Sequence, residues 1–157
     1  MRSVGRILES KSGSKNMSNK SNDKKFDEFP FEEIFIDHSG KPRHFNISIL
    51  ETTIEGYFIE AKEITKGGGY QFETYSSVSP FTALGRMRDK IRRELATRYT
   101  YKHENGQIAL THDKIYGRIS YNGIIIDGSL IEFDHFIELL STYEGSNISI
   151  TLIDPSE

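Results

Sequence analysis

Cysteine is absent from this chain, and that one absence removes a disulfide framework, a thiolate zinc site, an iron–sulfur cluster and a cysteine nucleophile together. Long apolar runs are missing as well, and nothing approaches the roughly 18 to 20 residues needed to cross a bilayer. The N-terminal stretch alternates Lys, Ser and Asn where a secretory leader would carry an apolar h-region. A cytoplasmic protein that makes no contact with membrane is expected.

Signals for chemistry are equally sparse. No two of the five histidines (His38, His44, His103, His112, His135) stand at His-x-x-x-His spacing, the arrangement that puts two ligands on one helical face. No Gly-x-Ser-x-Gly elbow is present to raise a serine nucleophile. The loop Lys66-Gly67-Gly68-Gly69 lacks Walker spacing and sits between two strand-like runs, so it reads as a hairpin connection. No catalytic residue, metal or cofactor is expected on these grounds.

What the chain does have is an uneven charge distribution. Residues 1 to 25 hold seven Lys/Arg against Glu9 and Asp23, so the remaining residues are acidic, with 13 basic against 21 acidic side chains. The first 25 residues are Ser, Lys and Asn with hardly an apolar residue after Leu8, a composition that cannot offset the entropy of ordering the backbone. A disordered basic tail is expected there, and Met17 could open a shorter product. Residues 26 to 157 are expected to form one domain.

From Phe26 onward the apolar pattern supports alternating sheet and helix. FPFEEIFIDHSGKPRHFNISIL reads as two strands around a turn at 38 to 42, with Phe45, Ile47 and Ile49 alternating with polar residues. GYFIEAKEI and YQFETYSS follow as a hairpin. A helix from Pro80 to about Tyr99 opens with Ser79 as its cap and Pro80 in its first turn. Phe81, Leu84, Met87, Ile91, Leu95 and Tyr99 fall on one arc, while Arg86, Lys90, Arg93 and Thr97 lie nearly opposite, with Arg92 beside them. Arg88 and Arg98 sit at the arc's edges, where their heads can reach a carboxylate.

QIALT, KIYGRIS and GIIID then read as three short strands, and a second helix runs from about Glu132 to Tyr143 with Phe133, Phe136, Ile137, Leu140 and Tyr143 on its apolar face. SNISITLID closes as a last strand. The order points to an α+β fold: a mostly antiparallel sheet of about six to eight strands with two helices packed on one face.

The stretches GYQFETYSSVSPFTALGRMRDKIRRELATRY, LTHDKIYGRISYNGIIIDG and FDHFIELLSTYEGSNISITLIDPSE resemble an uncharacterised bacterial cytosolic domain family, most closely in the "IDG" strand end, the helix and the "TYEG" turn into a final strand. The resemblance spans roughly residues 32 to 157. Some members of that family carry a Cys-rich ribbon-like segment ahead of the domain, from which this chain departs. The resemblance implies a bacterial, single-domain protein and brings no catalytic residues with it.

Three functions remain open from the sequence. A regulatory or accessory module could bind an acidic protein partner, or another copy of itself, through Arg86, Lys90, Arg93, Arg92 and Thr97. The same helix could bind nucleic acid or a nucleotide, with Tyr99 and Tyr101 available for stacking. A hydrolase is the third, without any convergent acid, base and nucleophile to support it.

Overall fold

The computed structural model describes residues 28–157; the expected basic tail lies outside them. The element order is β1(Phe31–Ile36), β2(Pro42–Leu50), β3(Tyr57–Glu63), β4(Gln71–Ser76), α1(Pro80–Ala96), β5(Thr100–Lys102), β6(Ile108–Leu110), β7(Arg118–Ile119), β8(Gly123–Ile126), β9(Ser129–Glu132) and α2(Phe133–Ser141). The class is α+β, as the pattern indicated. The strands divide among three antiparallel sheets, β1-β2-β3-β4, β5-β6 and β7-β8-β9, where one sheet was expected.

The first sheet is a meander whose register follows its alternation. Phe45 stands opposite Glu63, Ile47 opposite Ala61 and Ile49 opposite Ile59; directly opposed residues point to the same face, so one face collects the apolar set. α1 covers that face. Ser79 accepts a hydrogen bond from Thr82 N at 3.0 Å and Pro80 occupies the first turn, the cap and start that the sequence signalled. Phe35, Phe45, Ile47, Ile59, Ala61 and Phe72 of the sheet and Ala83, Leu84, Met87, Ile91 and Leu95 of the helix form one buried cluster. Each fully buried large aliphatic side chain contributes about 1.5 to 3 kcal/mol.

α1 ends at Ala96, three residues short of the expected Tyr99, because Thr97 turns extended (φ −108°, ψ 136°) and closes the helix with its own N–H on Glu94 O. Tyr99 therefore leaves the apolar arc and enters the link to β5.

Residues 99–157 are built differently. Asp127 and Gly128, both at positive φ, make the two-residue turn between β8 and β9, the twist that a hairpin favours. α2 packs on β8 and β9, yet the large side chains buried in this region are Ile126, Ile131 and Leu139. The expected apolar face of α2 is largely open, with Phe133, Ile137 and Tyr143 exposed. Residues 146 to 154, expected as a final strand, pair with no sheet.

Candidate functional site

The first site to build is the basic helix, because the sequence placed the partner contact there. β4 is an edge of its sheet. Glu63 N donates to Tyr70 O at 2.9 Å, and since backbone groups alternate in direction along a strand, the carbonyls of residues 71, 73 and 75 point away from β3, to the open edge. Two of them are taken by α1. Lys90 Nζ donates to Glu73 O at 3.1 Å and Arg86 Nη1 to Tyr75 O at 2.8 Å, so the two cations four residues apart cap the edge that another strand would need.

Lys90 also donates to the backbone oxygens of Pro155 and Glu157, which ties the last residues to α1. Burial pushes the Lys90 ammonium below its ordinary pKa, against the pull of Glu94 and Glu73. Arg88 Nε meets both carboxylate oxygens of Glu33 at 3.0 Å, and Arg98 Nε donates to Thr100 O. Arg92 faces Asp89 at 3.6 Å and lies over the Phe35 ring, while Thr97 caps the helix and donates to Arg93 O. The stripe is thus brought together on one helix, with Arg86, Arg92 and Arg93 exposed and Lys90 half-buried.

A second constellation was not visible in the sequence. Asp37, at the end of β1, has a fully covered side chain; its Oδ1 accepts from Ser39 N, Ser39 Oγ and Lys41 N, and its Oδ2 from Arg43 Nε at 2.9 Å. Arg43 reaches on to Glu63 Oε1 at 2.9 Å and lies over the Tyr70 ring, and Glu63 Oε2 accepts from Tyr70 N. Burial acts to raise the Asp37 pKa, but the four hydrogen bonds outweigh it and hold the carboxyl far below the usual range. Burial, helped by Asp127, pushes the Tyr70 hydroxyl well above its ordinary pKa. Each of the four carboxylate oxygens accepts at least one hydrogen bond, so the arrangement locks the turns it joins.

Asp127 is the other residue the sequence understated. Its carboxylate accepts from Tyr99 N, Thr100 N and Thr100 Oγ1 at 2.8 to 3.2 Å, which pins the chain just after α1 to the β8–β9 turn. Gly69 N donates to Gly128 O at 2.9 Å, and a Cβ on Gly68 would stand 3.2 Å from Leu130 N. The Lys66–Gly69 loop is the β3–β4 connection, and its glycines let it approach this turn closely. Beside it opens a cleft of about 240 Å³ lined by Lys62, Glu63, Tyr70, Arg118, Ile125 and Leu130 among others. Both Glu63 oxygens there are engaged.

For nucleophilic chemistry the nearest pair is Thr111 Oγ1 and His112 Nδ1 at 2.8 Å. The threonine hydroxyl donates to Arg98 O, so it accepts from the imidazole and is not being deprotonated by it. Glu132 and His135 stand three residues apart at the start of α2, but among the described residues no group of three or more His, Asp or Glu could hold a metal. No described helix is long and apolar enough to cross a membrane.

With this geometry in place, comparison with known families divides the chain where α1 ends. Residues 27–96 match the model of a domain of unknown function (DUF7686), and residues 99–157 match that of a second domain of unknown function (DUF7713). Two domains of unknown function cover the chain. No curated protein and no solved structure matches it. The first match takes in the sheet and α1; the second takes in Asp127, α2 and the unpaired segment.

The apolar surface of the second region is what remains. Tyr121 is 99% exposed, Ile148 66%, Ile150 76% and Leu152 79%. The last three alternate with Ser149, Thr151 and Ile153 in a segment that belongs to no helix or strand.

Proposed function

We propose that this chain is a small bacterial cytoplasmic accessory or regulatory protein that works by binding protein, and that its contact surface lies in residues 99–157, centred on the segment 146–154. The observation that carries this reading is the exposure of Ile148, Ile150 and Leu152 on a backbone that no sheet uses. The basic helix supports it less, because Arg86 and Lys90 already hold β4 carbonyls. Residues 26 to 157 act as one domain in this reading, joined through Asp127, the Gly69–Gly128 hydrogen bond and the Lys90 clamp.

A nuclease-treated affinity capture from the native host, with bound proteins identified by mass spectrometry, tests it. Wild type, an Ile148, Ile150, Leu152→Ser variant and an Arg86, Lys90, Arg93→Glu variant are compared. The reading expects a specific protein, or the chain itself, held by wild type and lost from the serine variant. Loss only from the glutamate variant returns the contact to the helix, and nucleic acid alone in the wild-type eluate overturns protein binding.

A further inference from the structure

The cleft beside the Lys66–Gly69 loop has two walls, one from each of the matched domains. In the first sheet Lys62 stands opposite Gln71, on the face turned away from α1, because their neighbours Ala61 and Phe72 belong to the buried cluster. In the third sheet Arg118 stands opposite Ile125 and Ile125 opposite Leu130, so these three share a face. The other face of that sheet carries Ile131, buried where α2 packs. Ser120, Gly68 and Gly69 complete the lining between the walls.

The charges along the cleft are paired, with one exception. Glu63 has both oxygens engaged, by Arg43 and by Tyr70 N. Lys62 meets one Glu60 oxygen at 3.2 Å, and the other accepts from Gln71 Nε2 at 2.7 Å. Arg118 has no hydrogen-bond or ion-pair partner among the described residues, and neither has the Ser120 hydroxyl. One uncompensated cation and one uncommitted hydroxyl therefore stand beside the apolar side chains of Ile125 and Leu130.

We propose that this cleft binds a small organic anion, a carboxylate or a phosphate monoester, with its charged head on Arg118 and Ser120 and its carbon skeleton against Ile125 and Leu130. A planar guanidinium pairs with two oxygens of such a head group at once, and the apolar wall favours a ligand with carbon to bury over a bare ion. The domain around it is acidic in sum, so the unpaired arginine is the local feature that draws an anion in. The space of about 240 Å³ lies below the roughly 300 to 1,000 Å³ of pockets for drug-sized ligands. It suits a small metabolite.

The walls belong to residues 27–96 and 99–157, so an occupant adds a further tie between the two regions beside Asp127 and the Gly69–Gly128 hydrogen bond. A ligand that binds only the joined arrangement stabilises the junction by mass action.

Heteronuclear amide spectra of the full chain, recorded at fixed ionic strength, read the site directly. The probes are succinate, glycerol 3-phosphate and inorganic phosphate, with uncharged glycerol as the control; the first two separate the head groups, and the third shows whether a carbon skeleton matters. At least one of the two organic anions should shift the amides of Gly68, Ser120 and Leu130 saturably below about 5 mM, more tightly than inorganic phosphate does, and glycerol should shift none. Arg118→Met should weaken that binding roughly tenfold with the urea midpoint unchanged, and Arg118→Lys should fall between the two. Arg93→Met, which removes an exposed cation of α1, should bind as wild type does. Amide exchange across β7, β8 and β9 should slow when the anion is bound. Saturation by neither organic anion, equal affinity for inorganic phosphate, or equal weakening by Arg118→Met and Arg93→Met overturns the site. The cleft is separate from the segment 146–154, so each of those results leaves the protein-binding reading untouched.

Discussion

Residues 28–96 and residues 99–157 are of similar length but satisfy their apolar and polar groups in different ways. The first region buries a continuous cluster between four strands and α1 and fixes its turns with the Asp37–Arg43–Glu63 chain. The second buries Ile126, Ile131 and Leu139 and leaves Ile119, Tyr121, Ile137, Ile148, Ile150 and Leu152 to solvent. A region with so small a core is steadied by its neighbours: Asp127, Gly128 and the Lys90 clamp attach it to the first. In the proposed function the first region is the scaffold and the second the surface the scaffold presents.

The largest effect that would sharpen this contrast comes from the scaffold core. Ile91→Ala removes a fully buried side chain of α1 and should cost about 3 kcal/mol, read as a fall in urea midpoint. Ile148→Ala, on the open segment, should change stability by less than about 0.5 kcal/mol. Equal losses from the two would erase the distinction between the regions.

Next comes the buried charge chain. Asp37→Ala leaves Arg43 half-paired and should cost about 3 kcal/mol at neutral pH. Because the Asp37 pKa is held below its unfolded value of 3.8, its contribution is complete above that pH and is lost as pH falls toward the depressed value. Acid titration of stability should therefore show a steeper loss below about pH 4 for wild type than for Asp37→Asn. Identical slopes would remove Asp37 from the account.

Asp127→Ala should cost about 2 kcal/mol by stranding the amides of Tyr99 and Thr100. Amide exchange should quicken across the β8–β9 hairpin while the first sheet stays protected. The smallest effect is expected from Lys90→Met, which frees Pro155 and Glu157. Global stability should move by under about 1 kcal/mol, since the site is partly open to solvent, and faster exchange should be confined to residues 154 to 157.

Legibility in the sequence tracked the same contrast. The first four strands and α1 could be read because alternation, the Ser79 cap and Pro80 all agree with the tertiary packing. Arg88 reached a carboxylate as its place at the edge of the arc suggested. In the second region the apolar residues do not report burial. Phe133 and Ile137 have helical spacing but face solvent, and Ile148, Ile150 and Leu152 alternate like a strand with no sheet to join. A pattern shows which face is apolar and leaves open what covers it. Asp127-Gly128 is itself a two-residue hairpin signal, and reading it would have found β9. Of the proposed contact residues, Arg86 and Lys90 could not have been assigned to carbonyls of β4 without its edge position.

The central claim is the proposal that residues 146 to 154 form the surface through which this protein meets a protein partner. Affinity capture from a nuclease-treated lysate of the native host with wild type and with Ile150→Lys tests it most directly, because a lysine there sets a charge in the middle of the apolar surface. The account expects a specific protein held by wild type and lost from the variant, with the urea midpoints of the two proteins the same. Equal capture by both proteins would contradict it.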